Sequence, residues 1–351
     1  MIPLEQNEAP SSLTPIVHFN LHGIIHRVVV DSTYSGLWIA KTGCHGCPNG
    51  ANAQPVDPNP SQLLGSETTQ QIENFEGRQG SVTCEMYRDT MAMGDLSPEL
   101  TDVCLASLFE GLDDTETFDG VFGLGTDWKM NKYLKGTFAK LDQKIVAIYW
   151  DHPKKYGQHT IGQLGLGALR HDKLASVKWV SNLIPASEWT IRAINFNFEK
   201  DFVYTSNKVV VDTRTRESAF EKRVFDWLVQ KLNAVYDPTT KRYKVSYAYV
   251  AQMPPIDMRI VKIKLYFDPL TLLDLDMSKT LGDDQEISDF AYLAIHVAAL
   301  GVNVLGTNLL SDFHMIFDYD NMKLGFGDPI LTRKRKSDDE SNEGRKKTSW
   351  P

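Results

Sequence analysis

Two aspartates, one in each half of the chain, are the side chains best suited to do chemistry together. Asp31 ends the three-valine run at 28–30 and precedes a serine, and Asp212 ends the three-valine run at 209–211 and precedes a threonine. A β-branched run predicts a buried strand, so each half is expected to carry one carboxyl group to the tip of a strand. Two carboxyl groups held close together share a proton and can act as an acid and base pair.

Strands must position these carboxyl groups, and strand signals dominate the rest of the sequence. Short β-branched and aromatic runs bounded by Gly, Pro, Asn and Asp recur along the chain. A long amphipathic pattern predicts one helix over 218–234, and shorter helices are predicted near 130–140 and 268–274. The fold class indicated is therefore mainly β.

The length of the chain predicts two lobes and a tail. With 351 residues and a mass of 39.6 kDa, the chain exceeds the usual size of a single core. We expect β lobes at 15–185 and 186–330. Residues 331–351 are rich in Arg, Lys, Ser, Asp and Glu and are predicted to be disordered. Their two basic clusters either form a nuclear import signal or are simply solvated.

Charge and hydropathy argue against several partners. Residues 331–351 carry seven basic and four acidic side chains of a chain with net charge −8, which leaves −11 on the rest. An acidic body argues against nucleic acid, because phosphate binding needs a basic face. The longest apolar stretch, 290–306, is interrupted by His296 and Asn303 and is too short for a membrane span. Residues 1–15 lack the basic start and apolar core of a signal peptide.

The four cysteines are candidates for two disulfides. Cys44 and Cys47 lie in a loop rich in Gly, Pro and Asn, and Cys84 and Cys104 flank a predicted hairpin with its turn at 94–95. Pairing across that turn brings Cys84 and Cys104 within bridging reach. Four reduced thiols are the alternative, because no signal peptide opens the chain.

Five motifs, taken in order, resemble those of the pepsin-like aspartic proteases. They are the loop Asp31-Ser32-Thr33-Tyr34-Ser35-Gly36-Leu37-Trp38, the run Phe118-Asp119-Gly120-Val121-Phe122-Gly123-Leu124-Gly125, the loop Asp212-Thr213-Arg214-Thr215, the run Leu305-Gly306-Thr307-Asn308-Leu309-Leu310, and the closing segments 313–318 and 323–326. Each motif is weak alone, but five in the family's order and spacing are a specific signal. The resemblance extends over about 15–330.

The resemblance implies a bilobal pepsin-like acid protease fold, in which two pseudo-twofold-related β lobes face each other across a cleft. It implies that Asp31 and Asp212 form the catalytic pair. Ser32 and Thr213 would lock the two loops to each other across the axis. Thr215 would support the second Asp.

The resemblance also implies a peptide or protein as substrate or ligand. A monomer is expected, with neither a metal nor an organic cofactor. The nine histidines are scattered and show no zinc spacing, in agreement with that expectation. By resemblance the protein would be extracellular or endolysosomal.

Three positions of the loops depart from the family's pattern. The family has glycine at the third position of each loop, where loops and substrate approach closely, and this chain has Thr33 and Arg214 there. A guanidinium is always protonated, and within about 4–6 Å it would lower a carboxyl pKa by about 1–3 units. We therefore expect Arg214 to favour a doubly ionised pair and to prevent proton sharing near neutral pH. Tyr34 replaces a serine, so Asp31 is expected to lose an orienting partner.

The flap, a hairpin that closes over the substrate in this family, is also altered. Phe75 takes the place of the family's tyrosine and has no hydroxyl to bond to Trp38, which would brace the flap by resemblance. Gly77, Gly80 and Ser81 match the flap turn with a longer spacing. The flap is therefore expected in a modified form.

Two functions are compatible with these residues. In the first, the protein is a pseudoprotease that binds peptides in the cleft, with catalysis lost or impaired because of Thr33 and Arg214. In the second, it is an active aspartic endopeptidase that hydrolyses peptide bonds with the Asp31 and Asp212 pair and an activated water. The second requires the long Arg214 side chain to turn toward solvent, so the distance from its guanidinium to the carboxylates discriminates between them.

Overall fold

The computed structural model describes most of the chain. The described residues are 1–6, 14–47, 56–57, 63–65, 68–73, 79–110, 118–151, 160–183, 188–205, 208–260, 263–274, 289–299 and 301–330. They include both Asp loops. The predicted tail at 331–351 and the flap residues Phe75 and Gly77 lie outside them.

Strands make up most of both halves of the chain, as the sequence predicts. In the first half they are β1 Ile2–Gln6, β2 Pro15–Leu21, β3 Ile24–Asp31, β4 Leu37–His45, β5 Thr68–Glu73, β6 Gln79–Met93, β7 Glu99–Glu110, β8 Gly120–Gly123, β9 Ile145–Trp150, β10 Thr160–Leu166 and β11 Leu174–Ser181. In the second half they are β12 Thr190–Ile191, β13 Ala193–Phe198, β14 Asp201–Tyr204, β15 Val209–Val211, β16 Ser218–Phe220, β17 Val235–Asp237, β18 Arg242–Ser246, β19 Ile256–Ile260, β20 Ile263–Phe267, β21 Leu273–Asp274, β22 Phe290–Leu293, β23 Ile295–Val297, β24 Asn303–Leu305, β25 His314–Asp318 and β26 Lys323–Pro329.

The helices are short and lie between strands. They are α1 Lys132–Phe138, α2 Lys222–Lys231, α3 Tyr247–Val250 and α4 Thr307–Leu310, with a 3-10 turn at Pro269–Leu272. The helix predicted over 218–234 is wrong at its start, because residues 218–220 form β16 and pair with β23. In the described part of the chain, no helix is both long enough and apolar enough to cross a membrane.

One 13-stranded sheet joins the two halves of the chain. Its order is β11-β26-β25-β9-β10-β1-β2-β3-β8-β4-β7-β6-β5. Strands β25 and β26, late in the chain, pair with β9 and β11 from the first half. One buried apolar cluster extends through both halves, from Ile2 to Phe326. The lobes predicted at 15–185 and 186–330 therefore share a sheet, and the boundary between them stays a prediction.

Each Asp loop follows a strand in the same local arrangement. Strand β3, which ends at Asp31, runs parallel to β8, and β15 runs parallel to β24. The loops pack closely against the neighbouring strand ends. A Cβ at Gly123 would lie 2.3 Å from the backbone oxygen of Tyr34, and a Cβ at Gly306 would lie 2.7 Å from that of Arg216. Only glycine fits at positions 123 and 306. The close packing there holds each Asp loop against the neighbouring strand.

Both candidate disulfides are present. Cys44 is bonded to Cys47, and Cys84 is bonded to Cys104 with a Cα–Cα distance of 5.4 Å. The second bond links β6 to β7 within the antiparallel pairing of those strands. Strand β6 also pairs with β5 in the hairpin that contains the predicted flap. The bond therefore fixes the base of that hairpin to the rest of the sheet.

Removing the Cys84–Cys104 bond is expected to lower the free energy of unfolding by about 3 kcal/mol, because the bond closes a loop of 20 residues in the unfolded chain. Alanine is the suitable replacement at both sites, since both side chains are buried. Urea unfolding without reductant measures the loss. Removal of the Cys44–Cys47 bond is the control and should cost less, because its loop spans three residues. Equal losses of unfolding free energy in the two variants would contradict the dependence on loop length.

Candidate active site

The two aspartates lie at the strand tips and are almost fully buried. Asp31 is 1% exposed and Asp212 is 2% exposed. The backbone N–H of Leu124 donates to the backbone oxygen of Asp31 at 2.7 Å, and the N–H of Asp212 donates to that of Leu305 at 3.0 Å. The strands beside β3 and β15 thus hold each loop in place.

Reciprocal hydrogen bonds join the two loops. The N–H of Ser32 donates to the hydroxyl of Thr213 at 3.0 Å, and the N–H of Thr213 donates to the hydroxyl of Ser32 at 3.0 Å. Each hydroxyl donates in turn to a backbone oxygen of the opposite strand, Thr213 to Val30 and Ser32 to Val211, both at 2.8 Å. This symmetric contact holds two residues far apart in the sequence, and with them the adjacent carboxyl groups, in one place.

Replacing Thr213 by valine is expected to lower the free energy of unfolding by about 2–3 kcal/mol, because it removes a buried donor and leaves the N–H of Ser32 unpaired. Thr213→Ser keeps the hydroxyl and is the matched control, with a smaller expected loss. Urea unfolding of both variants makes the comparison. Equal stability of the valine variant and the original protein would show that the contact contributes nothing.

Thr33 supplies two hydrogen bonds to Asp31. Its N–H and its hydroxyl both donate to Oδ1 of Asp31 at 2.7 Å. Thr33 therefore gives Asp31 an orienting hydroxyl from the preceding position, and the expected loss of the contact at Tyr34 stays a prediction. Neither Thr33 nor Arg214 has a positive φ, so the backbone at the third position of each loop accommodates side chains without strain.

Tyr34 packs away from solvent into the first half of the chain. It belongs to a buried cluster that includes Trp38 and both cysteines of the Cys44–Cys47 bond. Burial, and then the negative charge of Asp31, raise the pKa of the Tyr34 phenol well above its usual range. The phenol therefore stays neutral and does not serve as a base.

Asp212 is surrounded by donors from its own loop. Its Oδ1 accepts from the N–H groups of Arg214 and Thr215 at 2.9 and 3.1 Å, and its Oδ2 accepts from the hydroxyl of Thr215 at 2.8 Å. Burial, followed by the negative charge of Asp31, nevertheless raises the pKa of Asp212 to about 7. The pair therefore keeps a proton below about pH 7, and the expected loss of proton sharing near neutral pH stays a prediction.

The side chain of Arg214 lies beside the first carboxyl group. Its Nη1 is 3.9 Å from Oδ2 of Asp31, and its Cζ is 5.6 Å from the centre of the Phe118 ring. The side chain is 12% exposed, and the hydroxyl of Thr14 donates to its backbone oxygen at 2.9 Å. The guanidinium is thus turned toward the pair of carboxyl groups and not toward bulk solvent.

Comparison with known proteins identifies the family. The model of the eukaryotic aspartyl protease family matches residues 25–328. The chain belongs to this family. The fold is similar to the crystal structure of the aspartic proteinase from Irpex lacteus, with a TM-score of 0.72 and 18% identity over 95% of this chain and 98% of that one. No curated protein matches the chain.

The fold of this aspartyl protease family member is mainly β and bilobal, as the resemblance implied. At 18% identity the likeness to the solved structure shows the fold alone. What the site can do must therefore be argued from its own geometry. The described residues include no group of three or more His, Cys, Asp or Glu side chains that could hold a metal ion. Two carboxyl groups of which one has a raised pKa could serve as an acid and a base.

Trp38 lies in the buried cluster that includes Val82 and Cys84 of β6, a strand of the hairpin that contains the predicted flap. It is fully buried, with ring contacts to Phe109 and Phe118 at 5.4 and 6.1 Å between centroids. Among the described residues its indole N–H has no hydrogen-bond partner. In the hairpin, Gly80 and Ser81 lie on β6 and pair with residues 71–72 of β5. The Phe75 and Gly77 predictions fall outside the described residues.

The sequence did not predict two features of the candidate site. The first is the hydroxyl of Thr33, although a threonine two residues after an aspartate is a known local bonding pattern and offered a signal. The second is the raised pKa of Asp212, for which no local signal exists because its main cause is burial by residues distant in the sequence.

Proposed function

We propose that this protein binds peptides in the cleft between its lobes and hydrolyses them poorly or not at all. The observation that carries the proposal is the Arg214 guanidinium, 3.9 Å from Asp31 Oδ2. Family membership and the fold support peptide as the ligand. The position of Arg214 supports the loss of activity, because its guanidinium faces the carboxyl groups, whereas an active site of this kind would need it to face solvent.

The proposed impairment follows from proton transfer. One carboxyl group of the pair must accept a proton from water while the other donates one to the peptide. Asp212 is suited to donate, since its pKa is about 7. Asp31 would have to accept, and acceptance would neutralise the carboxylate that pairs with the largely buried Arg214 guanidinium at 3.9 Å. Removing one member of a buried ion pair is unfavourable, so the first step of hydrolysis is slowed.

The alternative function, an active aspartic endopeptidase, is favoured by different observations. The pair keeps a proton below neutral pH, and the hydroxyl of Thr33 donates to Asp31. The cross-loop bonds of Ser32 and Thr213 are also intact. A movement of the Arg214 side chain out of the cleft would be sufficient to restore the acid and base roles.

The two functions separate in one set of measurements. The purified protein is incubated at pH 3–6 with a denatured protein substrate, and its binding to a peptide with a hydroxyl-containing isostere in place of the scissile bond is measured by calorimetry. The proposal expects binding with little cleavage. Cleavage that disappears in Asp31→Ala would establish the endopeptidase. If the isostere peptide does not bind, peptide binding in the cleft is wrong for both functions.

A further inference from the structure

One sheet in the second half of the chain carries a distinctive set of side chains on its outer face. Its four strands have the order β14-β13-β19-β20. Phe196, Met258 and Leu265 are cross-strand neighbours and are at most 2% exposed, so they mark the inner face. The residues that alternate with them along each strand point to the outer face, which is open to a ligand.

Aromatic rings lie at both edges of this outer face. Phe202 and Tyr204 of β14 are 48% and 58% exposed, and their ring centroids lie 5.1 Å apart. Tyr266 of β20, at the opposite edge, is 52% exposed. Three strand spacings, or about 14 Å, separate the two edges. The outer side of a sheet is usually polar, so aromatic rings at both of its edges indicate a surface that binds an elongated ligand.

Amide and carboxyl groups occupy the centre of the outer face. Asn197 and Asp257 lie between Phe202 and Tyr266 in one row across the four strands. Nδ2 of Asn197 donates to Oδ1 of Asp257, and Nδ2 of Asn195 donates to Oδ1 of Asn197 at 3.0 Å. These bonds hold the three side chains in place. Because amides both donate and accept hydrogen bonds and carboxylates accept them, this centre is suited to a ligand rich in hydroxyl groups.

Asn195 has an acceptor that the protein does not use. The residue is 7% exposed, and its Oδ1 has no hydrogen-bond partner in the part of the chain that the structure describes. Buried side-chain oxygens usually have a partner. Tyr204 and Arg259 are the cross-strand neighbours of Asn195 on the two sides. A ligand hydroxyl group held between these two neighbours would provide the missing donor.

The outer face also carries a net positive charge. Arg259 and Lys264 lie directly opposite each other on β19 and β20, an arrangement that is unfavourable for two like charges. Asp257 compensates one of them through its ion pair with Lys264 at 3.3 Å. Two cations and one carboxylate leave one positive charge, which complements a ligand with one anionic group.

We propose that the outer face of this sheet binds a short oligosaccharide that carries a single carboxylate group. The sugar rings would lie on Phe202, Tyr204 and Tyr266, because C–H bonds with partial positive charge are attracted to the negative face of an aromatic ring. Their hydroxyl groups would bond to the amide and carboxyl groups of the centre. The ligand carboxylate would bond to Arg259 and Lys264. This site does not depend on the peptide cleft.

A single-stranded nucleic acid would also stack on aromatic rings, but its charge does not match this face. Each nucleotide adds a phosphate, whereas the face has one net positive charge. Asp257 would lie beneath the strand, in the row between the aromatic edges. The net charge of −11 on the residues outside the tail adds to the repulsion. An oligonucleotide is therefore the competing ligand in the test.

Matched ligands test the proposal on the full chain. One is xylotriose that carries one glucuronic acid residue, and the other is the same compound with its carboxyl group reduced to an alcohol. Their dissociation constants are measured by calorimetry at pH 7. We expect the acidic compound to bind about 5- to 20-fold more tightly than the reduced one, because hydrogen bonds to a charged group are the stronger ones.

Two variants assign the binding to this face. Arg259→Gln should remove most of the preference for the acidic compound and change the affinity for the reduced one little. Tyr266→Ala should weaken both compounds by about 3- to 10-fold through the lost ring contact. Tyr236→Ala is the control and should change neither, because Tyr236 is also half exposed but lies on β17, in another sheet.

Four outcomes would overturn the proposal. Neither sugar binds the original protein at millimolar concentration, or both bind equally and the acidic group is not recognised. A single-stranded oligothymidine binds more tightly than the acidic compound, which would identify the face as a nucleic-acid surface. Finally, the affinities stay unchanged in both Arg259→Gln and Tyr266→Ala, which would assign the sugar to another part of the molecule.

Discussion

Replacing Arg214 by glycine is expected to increase the rate of peptide-bond cleavage by about 10- to 1,000-fold, the range that corresponds to removing a cation beside a carboxyl group. The change removes the ion pair that opposes proton transfer to Asp31. It leaves the N–H of residue 214 free to donate to Asp212 as before. Cleavage of a denatured protein substrate at pH 3–6, expressed as kcat/KM, is the measurement.

Two controls make this result interpretable. Adding Asp31→Ala to Arg214→Gly should abolish the gained cleavage. Adding Thr33→Gly should not raise the rate further, because Thr33 donates two bonds to Asp31 and is part of a working site. If only the doubly glycine-substituted protein cleaves, Thr33 also blocks the site and the argument that Arg214 alone impairs it is wrong.

The free energy of unfolding is expected to fall as the pH rises from about 4 to 8. Burial, followed by the charge of Asp268, raises the pKa of Asp312 to about 7, although the N–H of Asp268 donates to it at 3.1 Å and opposes the shift. A carboxyl group with a higher pKa in the folded state holds its proton more tightly when folded. Its stabilisation is complete below the unfolded pKa and is lost as the pH rises through 7. Asp212, with a pKa of about 7, acts in the same direction.

The variant Asp312→Asn isolates one of these two groups. Asparagine keeps an acceptor for the N–H of Asp268 but does not ionise. We expect the variant to be more stable than the original protein at pH 8, by up to about 4 kcal/mol for a shift of roughly three pKa units, and similar to it at pH 4. Urea unfolding at pH 4, 6 and 8 gives the comparison. Asp226→Asn, at an exposed carboxyl group on α2, is the control and should retain the original pH dependence. If the free energy of unfolding of Asp312→Asn changes with pH as it does in the original protein, the assignment of this dependence to Asp312 is wrong.

The features that the sequence predicted are those with a local pattern. The valine runs before Asp31 and Asp212 predict both strands because β-branched residues favour buried strands, and both strands are present as β3 and β15. The spacing of Cys84 and Cys104 around one turn predicted their bond, because residues at similar distances from a hairpin turn lie close together, although the register pairs Cys84 with Ala106 and Cys104 with Met86. Each of these signals needs only neighbours along the chain or across a single turn.

The features that the sequence did not predict depend on packing between distant segments. The helix pattern at 218–234 was interrupted because Ser218–Phe220 pairs with Ile295–Val297, and no local pattern records a parallel partner. The guanidinium of Arg214 lies against the ring of Phe118 and beside Asp31, both far away in the sequence. The retained proton of Asp212 follows from burial by both halves. In each case a neighbour that only the fold brings close decided the outcome.

The sheet that joins the ends of the chain has a consequence for biosynthesis. Strand β9, whose six residues are all buried, pairs on one edge with β25, which leaves the ribosome more than 160 residues later. Until then its unpaired edge and apolar side chains are available for association with other nascent chains. Such long-range pairing folds slowly, so chaperone protection of the first half during translation should improve the yield of this protein, and release of a fragment that ends before His314 should produce insoluble material.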